Sequence, residues 1–208
     1  MSDRHLPVRP NLDQLKHQAK DLLREMKHGN RAAKLAEAQL ALARGYGIVS
    51  WPRLVLACRL IEAIWKDDAA MVRTIVRKHP ALLHEMARGT QGCNWGPPMS
   101  YAANLGRDRI IDALREMGAS DLGSAFDRAT LRGQIDTARK LYDMAGRPPL
   151  PRDAAMGPAE TLHAEGMALV LELGGTISDA SGDWRAPVAM TLETYSRCRF
   201  HRSKAPHQ

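Results

Sequence analysis

The sequence contains three cysteines and eight histidines, the side chains best suited to nucleophilic or metal chemistry. Cys93 lies in the glycine-rich segment 89–96 and His84 precedes it, so one hypothesis is a Cys93 nucleophile assisted by His84. Such a thiol needs a depressed pKa, and residue spacing gives no indication of one. The glycines instead favour a long loop that turns repeatedly. We therefore expect no catalytic residue and no enzymatic activity.

Motifs for metals and cofactors are also missing from the sequence. The cysteines form no Cys-x-x-Cys pair, and His79 and His84 lie five residues apart with no His-Glu-x-x-His spacing. The chain has no phosphate-binding Gly-x4-Gly-Lys-Ser/Thr loop and no Gly-x-Ser-x-Gly turn. Cys58 falls in an apolar helical pattern, which is typical of a core residue. We expect no metal, no cofactor and a reducing compartment, the cytoplasm.

The elements that carry these residues are predicted to be helices. Within 98–119, Pro98 suits the first turn of a helix, Gly106 can reverse the chain in the left-handed conformation, and Gly118 can end a second helix. The second helix has an apolar face with three- and four-residue spacing, formed by Ile110, Ile111, Leu114 and Met117. This segment predicts a helical hairpin, which needs neighbours to bury that face.

Similar hairpins precede and follow this one. Gly118, Gly146 and Gly174 stand 28 residues apart, each after an apolar helical pattern, and an earlier copy turns at Asp67. We place the copies at 61–97, 98–122, 123–157 and 158–197. The last copy is incomplete, because no second apolar helix follows it. An irregular helical bundle is the alternative, but the even glycine spacing favours a repeat.

A different helical segment precedes the repeats. Asn11 is placed to cap a first helix that ends at Gly29, and a second helix is expected over 35–44. Ser50 is placed to cap a third. Residues 1–60 are therefore expected to form a helical cap that covers the first apolar face of the stack.

These features together resemble the ankyrin-repeat family. Residues 98–103, Pro-Met-Ser-Tyr-Ala-Ala, are similar to the ankyrin opening Thr-Pro-Leu-His-x-Ala-Ala, and the Gly-Ala at 118–119 is similar to its close. Residues 10–16 and 38–54 resemble the helical lead-in of some bacterial ankyrin proteins. The resemblance covers about residues 6–197 and implies an all-α fold, a short solenoid of helical hairpins. The spacing of 28 residues between the stop glycines is shorter than the usual ankyrin repeat of about 33 residues.

The resemblance also implies a protein-binding scaffold. In that family the first helices of the hairpins, and the loops before them, contact the partner. Carried over to this sequence, the candidate protein-binding residues are Trp95, Tyr101, Asn104, Arg128, Trp184 and Arg185. The incomplete last copy leaves an apolar face uncovered, which favours self-association there.

The net charge of the chain also indicates what kind of partner it binds. The 30 Lys and Arg residues exceed the 23 Asp and Glu residues, so the net charge is +7. This charge is spread along the chain, apart from a basic tail at 198–208 that we expect to be disordered. We expect an acidic protein partner, with only non-specific attraction to nucleic acid. The alternative is a basic helical protein that binds nucleic acid, although aromatic residues for base stacking make up only 5% of the chain.

A membrane partner is not expected. No apolar run approaches the roughly 18 residues that suggest a membrane-spanning helix. Residues 1–10 carry charges and prolines in place of the apolar centre of a signal peptide. The sequence therefore predicts a water-soluble helical protein.

Overall fold

The computed structural model describes residues 6–89 and 95–203. Within these residues the chain forms eleven α-helices, one 3-10 helix and no strand. In chain order the α-helices are α1 (Leu12–Gly29), α2 (Leu35–Gly45), α3 (Trp51–Trp65), α4 (Ala69–Lys78), α5 (Pro98–Ala103), α6 (Asp108–Glu116), α7 (Leu122–Leu131), α8 (Ile135–Met144), α9 (Met156–Thr161), α10 (Ala164–Glu172) and α11 (Arg185–Ser203). The 3-10 helix covers Pro80–Leu83. The predicted all-α class is confirmed.

The helices fall into two compact units. The first unit contains the residues up to 98 together with 112–119, and the second contains 99–111 and the residues from 120 onward. Helices α1 to α4 therefore lie in the first unit, and α7 to α11 lie in the second.

Side chains cap the first turns of α1 and α3 by accepting hydrogen bonds from backbone amides that have no partner within the helix. The Asn11 side-chain oxygen accepts hydrogen bonds from the amides of Asp13, at 2.9 Å, and Gln14, at 3.0 Å. Ser50 Oγ accepts from the Arg53 amide at 3.3 Å, so both predicted caps are confirmed. Helix α1 packs on α2, and the apolar core beside them consists of Leu6, Leu15, Ala43, Ile48, Leu54 and Cys58.

Consecutive helices form four hairpins: α3 with α4, α5 with α6, α7 with α8, and α9 with α10. The turn between the two helices has the same geometry in each hairpin. A residue with positive φ stands at every reversal: Asp67 (56°), Gly106 (63°), Gly133 (67°) and Leu162 (59°). The amide of the following residue donates to the carbonyl five residues before it in all four turns. This Schellman arrangement satisfies carbonyls that a helix end would leave without partners. The predicted turns at Asp67 and Gly106 are confirmed.

A second recurring turn ends the second helix of three hairpins. Gly118, Gly146 and Gly174 have φ values of 102°, 80° and 86°. The Ala119 amide donates to the Leu114 carbonyl at 3.0 Å, and the same bond recurs after the other two glycines. All three glycines predicted to stop a helix do so, in a φ region that other residues rarely adopt.

Contacts between hairpins also recur at fixed positions. Arg73 and Glu116 lie six and ten residues after the turns of their own hairpins and form an ion pair at 2.5 Å. Arg139 and Glu172 occupy the same two positions in later hairpins and also pair at 2.5 Å. The hairpins therefore repeat in their contacts as well as in their turns.

The second unit packs its helices in chain order. Helix α9 lies against α7 and α11, and α10 contacts α7, α8 and α9. Helix α11 continues unbroken through Ser203. The disorder expected of the tail at 198–208 stays a prediction. Residues 204–208 of that tail lie outside the described residues.

Two predicted boundaries, one between the helical cap and the first copy and one between the last two copies, fall inside helices. The boundary after residue 60 falls inside α3, because buried apolar residues continue from Leu54 to Ile64 along that helix. Helix α9 begins at Met156, so the boundary after residue 157 falls inside it. Helix α3 therefore belongs with α4 in the first hairpin.

Candidate protein-binding surface

Three of the six candidate residues are buried. Tyr101 is 0% exposed, Asn104 is 4% exposed and Trp95 is 8% exposed. Every residue from 98 to 104 is buried, so the short helix α5 has no face left for a partner. The Asn104 amide instead donates to the Ser100 carbonyl at 2.9 Å. These three residues therefore leave the list of candidate contacts.

The other three candidates reach solvent and lie in the second unit. Trp184 is 62% exposed. Arg185, which begins α11, is exposed, and Arg128 in α7 is half-buried. These residues remain the candidate contacts from the sequence.

Charged residues that the sequence patterns did not single out lie beside Arg128. Asp127 precedes it in α7 and reaches water. Burial by the surrounding protein nevertheless raises the pKa of Asp127 to about 6, against the opposing charge of Arg128, and Asp153 adds to the rise. Asp127, Arg128 and Asp153 thus form one electrostatic group. Charged surface residues are too common for sequence periodicity to have marked them.

Arg152 joins this group to the loop before α11. Its carbonyl accepts a hydrogen bond from Ser178 Oγ at 3.3 Å. Its guanidinium lies against Gly182, where an added Cβ would come within 2.8 Å of Arg152 Nη1. We define the charged strip as Asp127, Arg128, Arg152, Asp153 and Arg185.

Local hydrogen bonds hold the loop before α11. Asp179 accepts from Ser181 Oγ at 2.6 Å and from the Asp183 amide at 2.9 Å. Arg185 forms a bidentate pair with Asp183, with both distances at 3.0 Å. These hydrogen bonds lower the pKa of Asp179 and of Asp183. Trp184 is therefore presented by an ordered loop, which reduces the entropic cost of binding a partner.

An apolar face runs along α11 from Trp184. Val188 is 41% exposed, Leu192 is 63% exposed and Tyr195 is 57% exposed. Spacings of four, four and three residues place these side chains and Trp184 on one side of a helix. We define the α11 face as Trp184, Val188, Leu192 and Tyr195. Exposed apolar residues that are contiguous in this way mark interaction sites.

The first unit has an open groove of about 910 Å³ beside α3 and α4. At its rim the Arg9 guanidinium donates two hydrogen bonds to Glu62, at 3.0 and 3.1 Å, and lies over the Trp65 ring at 5.2 Å from its centre. The hydrogen bond from Arg9 lowers the pKa of Glu62. Because these charges already bind one another, we assign no ligand to this pair.

Cys58 is a buried free thiol in the core of the first unit. Burial raises the pKa of the Cys58 thiol to about 11, so this thiol stays protonated at neutral pH. No three His, Cys, Asp or Glu side chains come together to hold a metal ion in the part of the chain that the structure describes. Cys93 lies outside that part, and His84 is exposed.

None of the described helices is both long enough and apolar enough to cross a bilayer.

Known proteins add no family assignment. No family model, curated protein or solved structure matches this chain. The recurring hairpins, the charged strip and the α11 face are therefore the observations from which a function is inferred.

Proposed function

We propose that this chain is an ankyrin-type interaction module that binds another protein and has no catalytic activity of its own. The partner contacts the charged strip and Trp184 at the end of that strip. The observation that carries the proposal is the recurrence of one helical hairpin with one turn geometry.

The hairpins support a stacked, solenoid arrangement. Four reversals use the same positive-φ turn, and three second helices end in a second common turn. The ion pairs Arg73–Glu116 and Arg139–Glu172 each join two neighbouring hairpins, and both use the same two positions of the hairpin. Units that repeat both internally and in their contacts with neighbours are typical of solenoid proteins, which use extended surfaces to bind partners.

The charged strip lies where the resemblance to ankyrin proteins places a binding surface. Arg128 is in a first helix, and Arg152 and Asp153 precede the next first helix, α9. Arg185 begins α11, the first helix of the incomplete last copy. The net charge of +7 favours a partner with acidic side chains. Arginine and tryptophan are also enriched among the residues that dominate binding energies.

Partner capture with the purified full-length chain tests the proposal. Arg128→Ala combined with Trp184→Ala removes one half-buried side chain, Arg128, and one exposed side chain, Trp184, and leaves the core unchanged. Arg77→Ala combined with Val49→Ala is the matched control, because both residues are exposed in the first unit. We expect the first variant to capture at least about tenfold less of a stoichiometric partner. Equal capture by the two variants, both folded by circular dichroism, would contradict the proposed surface.

Nucleic-acid binding predicts a different result. Labelled DNA and RNA are titrated with the chain at two salt concentrations. A net charge of +7 by itself produces weak binding of every sequence that is lost as salt increases. Tight binding that persists at about 200 mM salt would replace the protein-binding proposal.

A further inference from the structure

We propose that the groove of the first unit binds an acidic amphipathic helix of a partner protein. The groove has a volume of about 910 Å³ and is lined by residues of α3, of α4 and of the segment 9–13. All of its lining residues belong to the first unit. This inference goes beyond the proposed function, because the groove shares no residue with the charged strip or with Trp184.

Two walls of the groove are single faces of helices. The lining residues of α3 include four that are three or four residues apart and therefore share one face: Leu56, Arg59, Ala63 and Lys66. The same spacing places Met71, Ile75 and Lys78 on one face of α4. Because the turn at Asp67 makes these helices antiparallel neighbours, the two faces run side by side. At 1.5 Å per residue the α3 wall is about 15 Å long, the length of nearly three turns of a bound helix.

Apolar side chains in the lining remain within reach of a partner. Met71 is 48% exposed, and Leu12 and Leu56 are half-buried. A methionine adapts its shape to the side chains that pack on it. An amphipathic helix that binds in a groove places its apolar face on such residues.

Positive charge without a partner stands at one end of this groove. Arg59 lies eight residues before the turn at Asp67, and Lys78 lies eleven residues after it, so both are at the end of the hairpin away from that turn. Both side chains are exposed. Within the part of the chain that the structure describes, neither forms an ion pair.

The carboxylates of the groove offset none of this charge. Each of those in the lining is already engaged by a donor of the chain: Glu62 by Arg9 and Lys66, at 3.0 and 3.3 Å, Asp13 by Lys16 at 2.8 Å, and Asp68 by the Met71 amide at 2.9 Å. A partner therefore meets two cations that lack carboxylates, beside an apolar surface. Glutamates or aspartates flanking the apolar residues of the partner complement this arrangement.

The size of the groove indicates weak binding. Stable complexes bury about 800 Å² on each partner, and three turns of one helix supply less than this area. We therefore expect a dissociation constant on the order of tens of micromolar. Because Arg59 and Lys78 are exposed, binding should weaken as salt increases.

Fluorescence anisotropy of a labelled peptide, titrated with the purified full-length chain, tests the inference. The probe is a helical peptide of about 18 residues that has leucines at three- and four-residue spacing, glutamates beside them, and alanine and glutamine elsewhere. The comparison peptide carries lysines in place of the glutamates. We expect the glutamate peptide to bind at least about tenfold more tightly than the lysine peptide.

Two pairs of variants locate the bound peptide. Arg59→Glu combined with Lys78→Glu should weaken binding of the glutamate peptide at least about tenfold. Arg44→Glu combined with Arg77→Glu is the matched control, because both arginines are exposed in the first unit, lie outside the lining and change the net charge equally.

The second pair tests the apolar contact. Met71→Glu should also weaken binding, because a charge replaces an apolar side chain in the groove. Val49→Glu changes a residue that is 77% exposed in the same unit, and this variant should bind like the wild type. Circular dichroism checks that all four variants are folded.

The opposite results would overturn the inference. They are a wild-type chain that binds neither peptide, equal binding of the two peptides, or a groove variant that binds like its control. Displacement of the glutamate peptide by a single-stranded oligonucleotide that binds more tightly would also overturn it, because the occupant would then be a nucleic acid. None of these results changes the protein-binding proposal, because capture by the Arg128 and Trp184 variant tests that separately.

Discussion

The Thr137 hydroxyl in α8 donates a hydrogen bond of 2.7 Å to the Asp108 carboxylate at the start of α6. The two residues are 29 positions apart in the sequence, about one hairpin period. Thr137 is only 4% exposed, so the bond is shielded from water. A carboxylate at a helix N-terminus is also favoured by the helix dipole. One hydroxyl group thus helps to set the register between successive second helices.

Thr137→Val should destabilise the protein by about 1–3 kcal/mol, because it keeps the shape of the side chain but leaves Asp108 without that donor. The free energy of unfolding in urea measures the loss. Thr74→Val is the control, since the Thr74 hydroxyl bonds only to the Ala70 carbonyl of its own helix at an exposed site. The control should change stability by less than about 0.5 kcal/mol. Equal losses in the two variants would show that the Asp108 bond is unimportant.

Gly166→Ala should destabilise the protein although alanine is the better helix former. Gly166 lies in α10, and a Cβ there would overlap the backbone carbonyl oxygen of Thr130 in α7. Relief of that overlap requires the two helices to separate, at a cost of about 1–3 kcal/mol. Thermal unfolding followed by circular dichroism measures the change.

Gly123→Ala provides the opposite case. Gly123 lies in α7, and a Cβ built there meets nothing within 4 Å. Gly123 is the second residue of α7, where helix propensity counts for less than in a helix interior, so this variant should gain at most about 0.5 kcal/mol. A stabilised Gly166→Ala variant would mean that α7 and α10 are not in close contact at that glycine.

Asp127→Asn should change how stability depends on pH. The folded protein holds the proton on Asp127 up to about pH 6, whereas the unfolded chain releases it near the ordinary aspartate value of 3.8. Between these pH values the unfolded state binds fewer protons, so this residue makes stability fall as pH rises. The variant should therefore be more stable than the wild type at pH 7, by no more than about 1 kcal/mol because water screens the carboxylate. The difference should vanish near pH 4, as measured by urea unfolding.

Asp183→Asn should show the reverse trend. The hydrogen bond from Arg185 lowers the pKa of Asp183, so its stabilising contribution is present at neutral pH and is lost on acidification. The asparagine variant should be less stable than the wild type at pH 7 and should approach it in acid. Parallel pH curves for the Asp127 and Asp183 variants would contradict the environments described for both residues.

Cys58 should react with thiol reagents only when the protein unfolds. It is 2% exposed, and burial raises its pKa to about 11. Labelling is followed at neutral pH in a variant with Cys93→Ser and Cys198→Ser, so that only Cys58 contributes. We expect a native rate at least about a thousandfold below the rate in denaturant. Fast native labelling would show that the core around α3 opens readily.

Turns and helix ends could be predicted from the sequence, because neighbouring residues determine them. The Asn11 and Ser50 caps need only their own side chains and the next few amides. Gly106 and Gly118 mark positions where the backbone adopts positive φ. Leu162 was not predicted to occupy such a turn, because a leucine there carries no sequence signal for positive φ.

The candidate site was only partly predictable. Arg128, Trp184 and Arg185 remain candidates, whereas Asp127 and Asp153 were not anticipated. The group that Asp127 forms with Asp153 brings together residues from separate hairpins. No local pattern records such a juxtaposition.

The sequence by itself determined that this protein is helical, where some of its hairpins turn and where several of its helices end, since capping, glycine conformation and apolar spacing act over a few residues. The tertiary structure decided which side chains a partner can reach. Tyr101 and Trp184 are both aromatic residues near the beginning of a helix, yet one is 0% exposed and the other is 62% exposed. Their difference arises because burial depends on neighbours that packing brings from elsewhere in the chain.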